Sequence, residues 1–175
     1  MENRVSSWNM MRHLVVSLCL TASLAVAQPP QQRMPPFMTS PEVVNYQLTQ
    51  DKLDKWQACN RALIPYAKAH SDEMKKMAKP PASGDIKNLD DMVRWASAQA
   101  SDYIRVIESG GLTFKDYLLV TFALTSAFSA EMMMEHGQQP IQGMPFNQAN
   151  VDFVKANKDK IMAMFQEYGK LGSNK

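Results

Sequence analysis

The residue type in this chain most open to chemical use is methionine, of which there are fourteen among 175 residues. Eleven of them follow residue 27: Met34, Met38, Met74, Met77, Met92, Met132, Met133, Met134, Met144, Met162 and Met164. Soft thioethers select Cu(I), and they do so outside the cytoplasm without the oxidation that thiols suffer there. The densest group is Met132-Met133-Met134, followed by Glu135 and His136, with Met144 beyond a short loop. Met132, Met133, His136 and Met144 are therefore the metal-ligand candidates. Successive residues of a helix point about 100° apart, so three adjacent methionines cannot converge on one ion. Methionine is also the adaptable filler of helical cores and grooves. That use fits the pattern better, and no metal or cofactor is expected.

Other chemistries find less support. A carboxylate-bridged di-iron centre takes Glu-x-x-His pairs from two helices, and no Glu stands three residues before His70 or His136. Covalent haem needs Cys-x-x-Cys-His, whereas Cys59 is followed by Asn60. A bundle haem held by one Met and one His is permitted by composition alone. Cys59 and His70 are eleven residues apart with Pro65 between them, a poor arrangement for a nucleophile and its base. Glu131 sits on the most apolar stretch, where burial would favour its neutral form; pairing with a Lys is the simpler expectation. No catalytic residue is assigned, and the chain reads as non-enzymatic.

The elements that must position these residues read as helices. Thr49 caps a first segment with Leu53, Trp56, Asn60, Leu63 and Ala67 spaced three and four apart, and Pro65 is expected to kink or split it. Asn88, with Asp91 three residues on, starts a second, whose stripe is Leu89, Met92, Val93, Ala96, Ala100, Tyr103, Ile104 and Ile107, with Gly110 as its stop. Thr113 and Asp116 open a third that carries no charge from 117 to 130 and is expected to be the most buried helix, ending at Gly137. A fourth, capped by Asn147 or Asn150, carries Val151, Val154, Ile161, Phe165 and Tyr168, interrupted by Lys158. No stretch alternates like a strand. The expected fold is all-α, a four-helix bundle-like domain over residues 48–175.

What precedes the domain reads as an address. Arg12 and His13 lead into an uncharged run over 14–27 that closes on Ala25-Val26-Ala27, the pattern of a secretory signal peptide. At about 1.5 Å per residue this run spans about 21 Å, short of the roughly 30 Å of bilayer hydrocarbon. Leu18 before Cys19 is too large for a lipidation site. Met10 or Met11 would give a more compact start than Met1. Residues 28–47 form a leader, with five prolines and three glutamines between 28 and 41. A periplasmic or secreted protein is expected, with no integral membrane span after the signal. Only Cys59 then remains, so the chain has no internal disulfide; burial of the thiol is favoured over pairing with another chain.

Charge narrows the partners. Nineteen basic and seventeen acidic residues leave a net charge of +2, with no footprint for nucleic acid. Two motifs carry resemblances. Gly111-Leu112-Thr113-Phe114-Lys115-Asp116-Tyr117, with Asn150-Val151-Asp152-Phe153-Val154-Lys155-Ala156-Asn157, resembles a "GLTxxEY … NVxFVxxN" pattern of proteobacterial exported helical proteins, with Asp116 where Glu is commoner. That resemblance implies export and helicity and no particular activity. Leu48-Thr49-Gln50-Asp51-Lys52 is similar to the LTxxQ motif of periplasmic stress chaperones, with Lys52 in place of the Gln.

Two function classes follow. One is a non-catalytic binding or interaction protein, chaperone-like in one version, whose partner is an envelope protein or a small apolar ligand. The other is a helical bundle that binds copper or haem.

Overall fold

Every regular element among the described residues (40–77, 86–139 and 146–172 of this computed structural model) is an α-helix. The all-α class holds. Three of the four expected segments are interrupted, which gives seven helices, and a short one before them makes eight among the described residues: α1 (Pro41–Val44), α2 (Gln50–Ala69), α3 (Ser71–Met77), α4 (Leu89–Gln99), α5 (Ser101–Glu108), α6 (Phe114–Glu135), α7 (Gln148–Ala156) and α8 (Lys158–Gly172). The interruptions fall at His70, Ala100 and Asn157, each at a backbone angle outside the helical region. Pro65 does not split α2, which continues one turn past it. Helical structure also starts earlier than expected, because α1 lies within the stretch assigned to the leader and its Val43 is buried.

The chain divides into two compact units, Met34–Lys158 on one hand and Met1–Arg33 with Asp159–Lys175 on the other. In the second, the described residues belong to α8, where Ile161, Met164 and Phe165 recur at helical spacing. Residues 1–27, read as a signal peptide, lie outside the described residues.

The first unit is organised round α6, which touches α1, α2, α4, α5 and α7. Its start is fixed chemically. Thr113 Oγ1 accepts from the Asp116 amide at 3.0 Å and donates to the Asp116 carboxylate at 2.7 Å, which satisfies a helix-end donor that has no intrahelical partner. Its end is a glycine turn. Gly137 takes φ +70, its amide donates to Met134 O at 3.0 Å, and the Gln138 amide reaches Met133 O at 2.9 Å. Between these caps, Leu119, Val120, Ala123, Leu124, Ala127, Phe128 and Ala130 are buried. Burial of each large aliphatic side chain contributes about 1.5–3 kcal/mol. By length and composition α6 is also a candidate membrane span, and 56% of its most apolar window is buried inside the protein.

Polar contacts set the register of α6 against its neighbours. Trp56 Nε1 donates to Thr121 Oγ1 at 2.8 Å, and Tyr117 OH donates to Asn60 Oδ1 at 3.0 Å. Asn60 in turn donates to the Trp56 carbonyl at 2.8 Å. Lys115 Nζ holds Glu42 of α1 at 2.6 Å and Asp90 of α4 at 2.9 Å. Asn147 caps α7, and the buried Asn150 has a different task from the capping role considered for it. Its Oδ1 accepts from the Leu48 amide at 2.8 Å and its Nδ2 donates to the Tyr46 carbonyl at 2.7 Å, so 46–48 are fastened to α7.

The closest approach in the unit is between α2 and the turn after α5. A Cβ added at Gly110 would meet the Cys59 amide nitrogen at 2.4 Å and its Cα at 2.5 Å. Cys59 is a free, fully buried thiol, and burial pushes its pKa up. Gly110 thus does more than stop a helix. It lets two backbones touch.

Two predictions follow from this packing. Gly110→Ala would press on the Cys59 backbone and its buried Sγ and is expected to lower stability by about 1–3 kcal/mol or more; an unchanged thermal midpoint would contradict the contact. The second concerns alkaline pH. Tyr103, packed between Tyr66 and Phe114, is pushed up to about 12 by burial. Tyr46 is also raised to about 12, by burial and by the nearby Asp116 carboxylate. A raised folded-state pKa stabilises fully below the unfolded value near 10 and stops doing so as pH rises through 12. Denaturant midpoints should fall across that window together with tyrosinate absorbance, and Tyr103→Phe should reduce the slope.

Candidate functional site

One side of α6 is only partly buried. A helix turns through about 100° per residue, so positions 115, 122, 126, 129 and 133 share a side. On or beside that line Phe122, Thr125, Ser126, Ser129, Met132 and Met133 are half-exposed, while the opposite side is buried throughout. None of the six is charged. Thr125 Oγ1 donates to the Thr121 carbonyl at 2.7 Å and Ser126 Oγ to the Phe122 carbonyl at 2.8 Å. With their hydroxyl hydrogens committed to the helix itself, these side chains offer solvent mostly carbon. The result is an apolar strip that runs from 122 to 133, about 17 Å at 1.5 Å per residue. Small residues form its middle, between Phe122 at one end and the two methionines at the other.

The expected metal-ligand candidates divide as follows. Met132 and Met133 flank the C-terminal end of the strip, about 100° apart. His136 is the exposed C-cap residue and lies one turn further on the same side. Met134, 38% exposed, points away from that side. Met144 lies outside the described residues. Among the described residues no group of three or more His, Cys, Asp and Glu side chains could hold a metal ion. Cys59 and His70 do not meet, since eleven residues on one helix separate them by about 16 Å; His70 instead stacks on Tyr66 with ring centres 4.3 Å apart.

Glu131 belongs to the other side of α6, about 140° from His136. Its carboxylate is buried, with Oε2 at 3.3 Å from Lys158 Nζ. Lys158 also donates to Glu135. The hydrogen bond from Lys158 holds the Glu135 pKa below the usual carboxylate value, and that to Glu135 raises the pKa of Lys158. The charge that interrupts the apolar stripe of the fourth segment is therefore the counter-ion of a buried acid. Oε2 is in ion-pair reach of the ammonium without the alignment of a hydrogen bond. Glu131 is thus paired with a Lys.

Sequence reasoning missed the strip because its signal is an absence of burial, which periodicity does not report for a helix that is apolar all round. The clue available was the clustering of Thr and Ser on one side of an otherwise aliphatic helix.

No known protein family, no curated protein and no solved structure matches the chain.

Lys158→Met should cost about 3 kcal/mol, because it strands a buried carboxylate. Adding Glu131→Gln should restore most of the loss, and independent, additive effects of the two substitutions would refute the pairing. The Glu135–Lys158 contact also gives acid sensitivity. A depressed carboxylate pKa stabilises above the unfolded value near 4.3, and that contribution is lost as pH falls through the folded value. Stability should therefore drop below about pH 4, and Glu135→Gln should flatten that drop.

Proposed function

We propose that this protein is a non-catalytic binding module of the cell envelope, periplasmic or secreted, that holds an apolar segment of an envelope partner or a small apolar ligand on the open side of α6. One observation carries the reading: the most apolar helix of the fold keeps an uncharged strip half-exposed, although five other helices pack round it. A contiguous apolar surface left partly open to solvent, as this one is, is the kind of patch that marks an interaction site. Methionines at its rim can re-pack against partners of different shape. The signal-like N-terminus and the LTxxQ-like start of α2 support an envelope setting and a chaperone-like variant of the same function.

A second reading rests on Met132, Met133 and His136, which share one side at the end of α6 and suit Cu(I) by ligand softness. Under this reading Met144 would complete the set.

The test is titration of the chain from Gln28 onward with an environment-sensitive apolar fluorophore, alongside suppression of aggregation of an unfolded client protein. Ser126→Glu and Ser129→Glu place a charge in the strip and should weaken binding at least about tenfold, equivalent to about 1.4 kcal/mol, with the thermal midpoint little changed. Binding unaffected by either charge would refute the reading. For the copper alternative, Met132→Leu with Met133→Leu should abolish Cu(I) uptake and leave fluorophore binding intact.

A further inference from the structure

We propose that Asn150 of α7 and the first turn of α6 form a groove for extended peptide, which residues 42–48 of the chain fill until a partner segment of matching chemistry displaces them. That partner segment carries an acidic residue followed by an aliphatic one, with a second aliphatic residue five positions further on. Neither Asn150 nor the buried Val43 and Leu48 belongs to the strip on α6.

The groove holds its occupant by the backbone. Asn150 Oδ1 accepts from the Leu48 amide at 2.8 Å, and its Nδ2 donates to the Tyr46 carbonyl at 2.7 Å. A carbonyl and the amide two residues on lie along one side of an extended chain, and a residue of a neighbouring parallel strand bonds the same two groups. Asn150 therefore reads main chain, as the sheet edges of peptide-binding domains do, and any residue except proline satisfies it at position 48. Side chains add the selectivity. Lys115 Nζ takes the Glu42 carboxylate at 2.6 Å, while Val43 and Leu48 are buried.

The same groups tolerate a change of occupant. Asn150 is 3% exposed, and losing the segment would strip its side chain of both bonds. A second backbone restores them in kind. Lys115 has a further partner, Asp90 at 2.9 Å, so exchange of the acid leaves no bare ammonium.

The built-in occupant also fits imperfectly. Ser40 Oγ and Tyr46 OH are buried without a hydrogen-bond partner, although the Asp116 carboxylate lies near the tyrosine. Burying an unbonded hydroxyl costs free energy. The Glu42 carboxylate is half-exposed, which leaves its ion pair with little net worth. α1 has only four residues, too few to hold a helix without its packing. A partner segment that offers the same main chain, acid and aliphatic groups without the unbonded hydroxyls avoids those costs.

The probe is a fluorescein-labelled peptide with the sequence of residues 40–48 bearing Ser40→Ala and Tyr46→Phe, titrated by anisotropy against the chain from Gln28 onward. Glu42→Lys/Val43→Asp in the chain unseats its own segment and should tighten peptide binding at least about tenfold over the parent. Adding Asn150→Ala should weaken it again at least about tenfold. A folded Glu42→Lys/Val43→Asp chain that binds no better than the parent overturns the proposal, as does binding indifferent to Asn150→Ala. If that chain does not fold, hydrogen exchange of the parent decides. Saturating peptide should speed exchange of the Leu48 amide, and an unchanged rate overturns displacement. A parent chain that dimerises alone at these concentrations, and that the peptide returns to monomer, would make the occupant a second copy and overturn the assignment to a different partner.

Discussion

The fold depends on a single constraint, that α6 carries no charge from 117 to 130 and cannot remain in water. Its buried side chains give α1, α2, α4, α5 and α7 a common surface, and the hydrophobic effect is the force that assembles them. Because that force is not directional, polar contacts must choose the arrangement. The Trp56–Thr121 and Tyr117–Asn60 hydrogen bonds fix α2 on α6, and Lys115 fixes α1 and α4. Glu131 and Lys158 fix the helix at its far end. The ion pair adds specificity more than net stability, since desolvation offsets much of its Coulomb energy.

The same constraint makes the open strip unusual. A helix that is apolar all round would be expected to lose every side to burial, yet Phe122, Thr125, Ser126, Ser129, Met132 and Met133 stay only partly buried. The hydroxyls of Thr125 and Ser126 make the exposure tolerable. They add a thin polar layer and at the same time satisfy helix carbonyls. A surface built this way is wettable when empty and mostly carbon when covered, which suits reversible contact with apolar partners.

Much of this was legible in the sequence. Thr49, Asn88, Thr113 and Asn147 cap helices as their types require, and the burial of Leu53, Trp56, Leu89, Ala96 and Val154 follows the three-and-four spacing. What could not be read arose from tertiary geometry. The break at Ala100 has no Pro or Gly to announce it, and the continuity of α2 through Pro65 shows packing overriding a local penalty. Asn150 looked like a cap because its partners, Tyr46 and Leu48, are about a hundred residues away in sequence. Gly110 looked like a stop because its contact with Cys59 is equally remote. The candidate site was half legible. Its methionines stood out by composition, but the partial burial of the side they share with Phe122 and Ser126 depends on how the neighbouring helices pack against α6.

The most direct measurement is the rate of thiol labelling at single cysteines placed along α6, with the buried Cys59 as the unreactive background. Cysteines at Phe122, Ser126, Ser129 and Met133 should label much faster than those at Val120, Leu124 and Ala127, tracing a period of three to four residues. A flat profile, or fast labelling on the Leu124 side, would contradict the claim that α6 is a core helix with one open side.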